Sequence, residues 1–173
     1  MKKTAIVYWL LPARPERDLF CDVIRILGKE FSGPNFEPHL TLFVTTKNSG
    51  SPRSFLEQFR ARPIRLSVRS VAFAEEFTKT LFVRFKSSSE LRKVVNDLGH
   101  AAKAKTKPPT DPHVSLLYKK IPRRTKRELA KIIKLPFRNV RFDSIAAVRM
   151  TLPVRNGADV EKWKIVAKKQ LPG

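Results

Sequence analysis

The chain has 173 residues, 42% apolar and 29% charged, a composition normal for a folded globular protein and not for a disordered one, and its length suits one domain, or two small lobes sharing a core, with a sizeable interior. Lysine and arginine number 36 against 15 aspartates and glutamates, a net charge of +21 that favours polyanionic partners such as RNA, nucleotides or an anionic membrane. The single cysteine, Cys21, excludes an intrachain disulfide, and no apolar run reaches the roughly 18 residues of a transmembrane helix.

The segment Thr4 to Leu11 is apolar, β-branched and aromatic, as a buried strand requires, and Pro12 ends it. With Met1-Lys2-Lys3 ahead of it, this run has the outline of a signal peptide. It is short, however, and Pro12 and Arg14 follow it, so it reads as the first core strand of a cytoplasmic protein. A helix from Pro15 to Phe31 presents Leu19, Phe20, Val23, Ile24, Leu27 and Phe31 at helical spacing, and Ser32-Gly33-Pro34-Asn35 stops it. A strand runs from Pro38 to about Thr45. Lys47 to Pro52 is a loop, and a short helix then carries Phe55, Leu56 and Phe59. Ile64 to Ala74 alternates as a strand, Phe77-Thr78-Lys79 connects, and Thr80 to Phe85 is a further strand.

Ser87 and Glu90 have capping-box spacing ahead of a helix with Leu91, Val94, Val95, Leu98 and Ala102 on its apolar face. His100 falls on the polar side of that helix and reads as a surface residue. A loop rich in lysine and proline, 103–112, leads into a strand from His113 to Tyr118. Thr125 and Glu128 suggest another capped helix, with Leu129, Ile132 and Ile133 apolar. Phe137 to Thr151 is one long strand or two shorter ones, and Val160 to Leu171 is a closing strand around Trp163, Ile165 and Val166.

One pattern occurs twice: Pro38-His39-Leu40-Thr41-Leu42 and Pro112-His113-Val114-Ser115-Leu116. Side chains alternate along a strand, so His39 and Thr41 share one face, as do His113 and Ser115. Leu40, Leu42, Val114 and Leu116 take the other face, towards a core. The copies lie about half the chain apart, each preceded by a longer helix and followed by a shorter one. The expected fold is therefore α+β and bilobal: two pseudo-symmetric lobes of largely antiparallel sheet, helices outside, and a central cleft between the motif strands. Residues 1–173 form a single domain in this reading, with halves meeting near residue 86.

Two imidazoles facing one cleft can serve as general base and general acid near neutral pH, and hydroxyls can hydrogen-bond phosphate oxygens. Hydrolysis of a cyclic phosphodiester needs that set. A metal centre would need a third ligand, and the motifs carry neither cysteine nor carboxylate at ligand spacing. Ser115 lies on a strand and not in a G-x-S-x-G elbow, which weighs against a serine hydrolase.

The doubled apolar-His-apolar-Thr/Ser motif resembles that of the two-histidine (2H) phosphoesterase superfamily, which includes 2′-5′ RNA ligase-like proteins and cyclic phosphodiesterases. Tyr8–Pro12, Phe31–Thr41, Pro112–Tyr118 and Glu161–Val166 are closest to the plant and fungal cyclic phosphodiesterase branch. The resemblance implies hydrolysis, without metal or other cofactor, of nucleoside 2′,3′-cyclic phosphates or ADP-ribose 1″,2″-cyclic phosphate to a monophosphate. It assigns His39 as acid, His113 as base, Thr41 and Ser115 as phosphate-binding, and Trp9 and Tyr118 as pocket aromatics that stack on or line the nucleoside. The branch's paired cysteines have no counterpart here.

The charge supports a second reading, an RNA-binding or RNA-end-processing 2′-5′ RNA ligase-like protein acting on longer RNA. In it Lys103, Lys105, Lys107, Arg123, Arg124, Lys126 and Arg127 track the backbone. The expected partners are a cyclic nucleotide or RNA ending in a cyclic phosphate, with no membrane and a monomeric chain.

Overall fold

The structure is a computed structural model, and it describes residues 1–46 and 50–173. Lys47, Asn48 and Ser49 of the expected loop lie outside the described residues. The strands are β1 (Lys3–Pro12), β2 (Leu40–Thr45), β3 (Ile64–Phe73), β4 (Leu81–Phe85), β5 (His113–Leu117), β6 (Asn139–Leu152) and β7 (Lys164–Gln170). The helices are α1 (Glu16–Phe31), α2 (Pro52–Gln58), α3 (Ser89–Ala101), α4 (Arg123–Ile132) and α5 (Gly157–Glu161), with a 3₁₀ turn at Phe77–Lys79. None of the described helices is long and apolar enough to cross a membrane.

The fold is α+β, with one antiparallel sheet of seven strands ordered β1-β2-β5-β4-β3-β6-β7 and an additional β1–β6 pairing that closes the first six into a ring. The element order strand-helix-strand-helix-strand occurs twice, as β1 to β3 and then β4 to β6, so the repeat divides between β3 and β4. Exchanging the two triplets of strands maps the ring onto itself. The halves meet where Leu40 of β2 pairs with Val114 of β5, and these residues occupy the same place in the two motifs. A pseudo-twofold axis therefore passes between them and relates the two His-x-Thr/Ser segments.

Both residues of that pair are fully buried in the main core, together with Leu42, Leu116, Val83, Phe85, Phe142 and the inner faces of α1 and α3. The apolar motif residues hold the sheet to its helices and the polar ones turn to the other face as expected, but β2 begins at Leu40, so His39 stands just ahead of its strand whereas His113 opens β5. Leu40→Ala should cost about 2–5 kcal/mol of stability, the usual range for a buried leucine, and urea unfolding measures it.

Local chemistry moves several boundaries. Ser88, one residue after Ser87, caps α3, its hydroxyl accepting from Leu91 N at 3.0 Å. Thr125 and Glu128 lie inside α4, which begins at Arg123 behind Pro122, so they form no capping box. Residues 139–152 form one long strand because different parts of it pair with β1, β3 and β7. The closing strand starts only at Lys164; before it, Asn156 caps the short α5 and leaves Trp163 in a connection.

Candidate active site

The two motifs carry their histidines into one cleft of about 270 Å³, lined also by Thr41, Ser115, Trp9 and Tyr118, so all six expected site residues share it. Each histidine is held alike. His39 Nδ1 lies 2.7 Å from the Glu37 carbonyl oxygen, and His113 Nδ1 lies 2.8 Å from that of Asp111. A carbonyl only accepts, so each Nδ1 carries the proton and each Nε2 is the nitrogen left for chemistry. Pro38 and Pro112 fix φ and bias Glu37 and Asp111 towards extended backbone, which suits this two-residue reach back. The carboxylates are anchored in turn: Arg17 donates to Glu37, and Lys79 and Arg84 engage Asp111. The working unit is thus acid-Pro-His-x-Thr/Ser. Its first residue stands in both copies of the sequence, one position ahead of the proline on which the motif was read to begin.

Beneath each ring sits an aromatic from the neighbouring strand. Trp9 is paired with Thr41, and Phe82 with Ser115. The registers of β1 and β4 each shift immediately before that aromatic, between Tyr8 and Trp9 and between Leu81 and Phe82. Such bulges re-aim side chains beside functional sites. His39 stacks on Trp9 with ring centroids 3.7 Å apart and planes 11° apart, whereas His113 meets Phe82 edge-on at 5.1 Å. Trp163 closes over the edges of His39, Trp9 and Tyr118.

Burial sets the proton affinities. His39 is only 7% exposed, and burial pushes its pKa down to about 4; the Glu37 hydrogen bond opposes the shift and His113 adds to it. His113 is half-buried. Burial lowers it below the ordinary imidazole value and Lys79 adds to the lowering, while the hydrogen bond to Asp111 and the carboxylates of Asp111 and Glu76 oppose it. Both rings are therefore neutral at neutral pH in the free protein.

Trp9, which the resemblance implies as a pocket aromatic, lines the cleft. It is 2% exposed and one face already carries His39, so it acts as the platform of that histidine. Tyr118 is also buried, stacked on Phe36 at 3.9 Å, and its hydroxyl is near Ser115. Burial raises its pKa and keeps the phenol protonated. The Ser115 hydroxyl donates to Thr78 O at 2.8 Å, so its proton must be redirected before it can meet a phosphate.

A cation that the sequence reading passed over stands at the wall of the cleft. Lys79 Nζ is 2.7 Å from Asp111 Oδ2 and 4.8 Å from the centre of the Phe82 ring. Against the cost of partial burial, Lys79 and Arg84 hold the Asp111 carboxyl below its usual range. Lys126 leaves the basic cluster: it is buried and binds Ala74 O and Glu75, clamping α4 to the segment that leads to Lys79. Among the described residues, no three His, Cys, Asp or Glu side chains gather as a metal site would require.

A family model described as the 2′-5′ RNA ligase superfamily matches residues 22–152. The chain belongs to that superfamily. A curated cyclic phosphodiesterase of Arabidopsis thaliana is 23% identical over 130 residues, covering 73% of this chain and 72% of that protein. Two solved structures show the same fold. E. coli LigT complexed with 3′-AMP has a TM-score of 0.55 at 12% identity, covering 98% of this chain and 99% of LigT. TT0787 of Thermus thermophilus has a TM-score of 0.53 at 18% identity, covering 98% of each chain. The superfamily is the 2H phosphoesterase group that the doubled motif resembles, and these matches support a phosphoesterase family enzyme.

Proposed function

We propose that this superfamily member is a metal-independent cyclic phosphodiesterase that opens nucleoside 2′,3′-cyclic phosphates, or ADP-ribose 1″,2″-cyclic phosphate, to monophosphates. The observation that carries this reading is the pair of histidines, each fixed through Nδ1 on the carbonyl of an acid-Pro-His turn and turned into one cleft. The likeness to a cyclic phosphodiesterase supports it, as does the complex of LigT with a ribonucleotide monophosphate, the product class that ring opening releases.

The resemblance implies His39 as acid and His113 as base; the surroundings of the rings support the opposite division. His39 lies in an aromatic box whose burial favours its neutral form, which suits a base. Burial lowers His113 as well, but it is less buried than His39 and the Asp111 and Glu76 carboxylates favour its charged form, which makes it the better suited of the two to be the acid. In the proposed reaction Nε2 of His39 takes a proton from water as the water oxygen bonds to phosphorus. The bond from phosphorus to one ribose oxygen breaks, and Nε2–H of His113 protonates that oxygen. Thr41 and Lys79 bind the non-bridging oxygens, with Ser115 joining them when its proton leaves Thr78 O. Each acid–base role supplies about 10²–10⁴-fold.

With EDTA present, the protein should convert a nucleoside 2′,3′-cyclic phosphate to a monophosphate. Inactivity towards mononucleotide, ADP-ribose and oligonucleotide cyclic phosphates alike would overturn the reading. The pH profile follows from the two shifts. His39 is neutral above about 4, and His113 holds its proton only below a pKa that is itself under 6.5, so kcat/KM should be bell-shaped with its maximum on the acid side of neutrality. Lys79→Met removes a cation that lowers His113 and one ligand of the phosphate. It should reduce kcat/KM roughly tenfold to a hundredfold, the range of a hydrogen bond to a charged group, and move the alkaline limb upward. An unmoved limb would count against Lys79 facing His113.

A further inference from the structure

We infer a second binding site, for a phosphomonoester on a flat apolar body, in the pocket between α4 and β3. The pocket measures about 560 Å³, larger than the histidine cleft, and shares no lining residue with it. Its origin lies in the sheet. β6 begins at Asn139, opposite Ser67, whereas β3 runs on to Phe73 with β4 along its other side. From Val68 onward the flank of β3 that faced β6 meets α4 and the connection 133–138. A partner strand would lie about 4.8 Å away, whereas a helix with its side chains is about 10 Å across and cannot come so close. The register of β3 against β4 also shifts here, between Val68 and Ser70. Such bulges concentrate beside functional sites. Hydrogen bonds fix the rim: Val68 N donates to Arg138 O at 2.8 Å, Lys86 N to Ser67 O at 2.9 Å, and Ser67 Oγ to Asn139 Oδ1 at 2.9 Å.

The lining divides into an apolar part and a cationic part. Val68 and Val71 of β3 form one apolar wall, and Ala130 and Ile133 with Phe137 form the other. All five are half-buried, packed against the main core but not covered by it. A slot with two apolar walls takes a flat ring. Lys86, Lys134 and Arg138 supply the charge. They are exposed, and among the described residues none of the three forms an ion pair and no carboxylate lines the pocket. Three cations without a counter-ion suit a dianion. A phosphomonoester carries about −1.5 to −2 charges near neutrality on three acceptor oxygens, and a guanidinium such as that of Arg138 grips two of them at once. Apolar walls with a few placed polar groups, in a volume of this order, are the ordinary make-up of a small-molecule site.

The test titrates the intact protein with phenyl phosphate and follows the backbone amides of Val68, Val71, Ala130 and Asn139 by ¹H–¹⁵N NMR. Those amides should shift and saturate. Inorganic phosphate and phenol should each bind there at least about tenfold more weakly, since each keeps only one of the two kinds of contact. Combined Lys134→Gln and Arg138→Gln should weaken phenyl phosphate at these amides by at least about tenfold, while the amides of Thr41 and His113 respond as in the wild type. Both substituted side chains are exposed, so the variant should fold normally, and its spectrum away from the pocket verifies this. Adenosine 5′-monophosphate in a parallel titration separates two sources of the same chemistry. Tighter binding than phenyl phosphate at these amides supports the site and marks a nucleotide as its ligand; weaker binding supports it and marks a smaller aryl phosphate. No shift of these amides at millimolar phenyl phosphate, equal affinity for inorganic phosphate, or undiminished binding in the double variant would overturn the inference.

Discussion

His39→Ala and His113→Ala should each reduce kcat on a cyclic phosphodiester by at least about 10²-fold, because each removes one of the two proton transfers. Their Nδ1 atoms are tied to main-chain carbonyls, so no rotation of a neighbour restores a nitrogen at the same point. The two losses should differ in kind. An activated aryl phosphodiester releases a phenolate that needs no proton, so His113→Ala should retain most of its wild-type rate on that substrate. His39→Ala should remain inactive, since the attacking water still lacks a base. The opposite pattern, rescue of His39→Ala alone, would reverse the assignment of roles and restore the division that the resemblance implies. Circular dichroism and urea unfolding verify that both variants remain folded.

Trp9→Ala should cost about 3–5 kcal/mol of stability, the range for deleting a large buried aromatic. It should also uncover His39. The depressed pKa of that ring comes chiefly from burial, so with the indole gone it should rise from about 4 towards the ordinary value near 6.5. A base must be neutral to act, and the acid limb of kcat/KM should therefore move upward with it. Trp9→Phe keeps an aromatic floor and should shift both stability and pKa much less. NMR titration of the His39 ring reads the effect directly. A ring that titrates unchanged in Trp9→Ala, with altered preference among bases, would instead make Trp9 a nucleoside platform.

The strands of the motifs were legible because alternation is a property of adjacent residues. Leu40, Leu42, Val114 and Leu116 are buried, and the histidines share a face, as the pattern requires. The α+β class and the repeat followed from the same pattern and from helices at matching places. What stayed hidden depends on contacts across the sheet. The bulges ahead of Trp9 and Phe82, which bring an aromatic beneath each histidine, appear in strand registers and not in any local pattern. Lys79 looked like part of a connection because Asp111, which holds it, is far along the chain. Lys126 was counted among surface cations because its partners Ala74 and Glu75 come from another segment. Trp163 looked like part of a strand until Asn156 proved to cap a short helix before it. Glu37 and Asp111 are the exception: an acid before Pro-His occurs in both copies and could have been read from the sequence.

The central claim is that two histidines in one cleft drive the attack of water on a cyclic phosphodiester. It is tested most directly by following a nucleoside 2′,3′-cyclic phosphate by ³¹P NMR in ¹⁸O-labelled water with EDTA, using wild-type protein and the His39→Ala, His113→Ala double variant side by side. The account predicts a monophosphate carrying one ¹⁸O on phosphorus from the wild type, and no conversion above background from the double variant. Conversion by the double variant at the wild-type rate, or a wild-type product without the label, would contradict it.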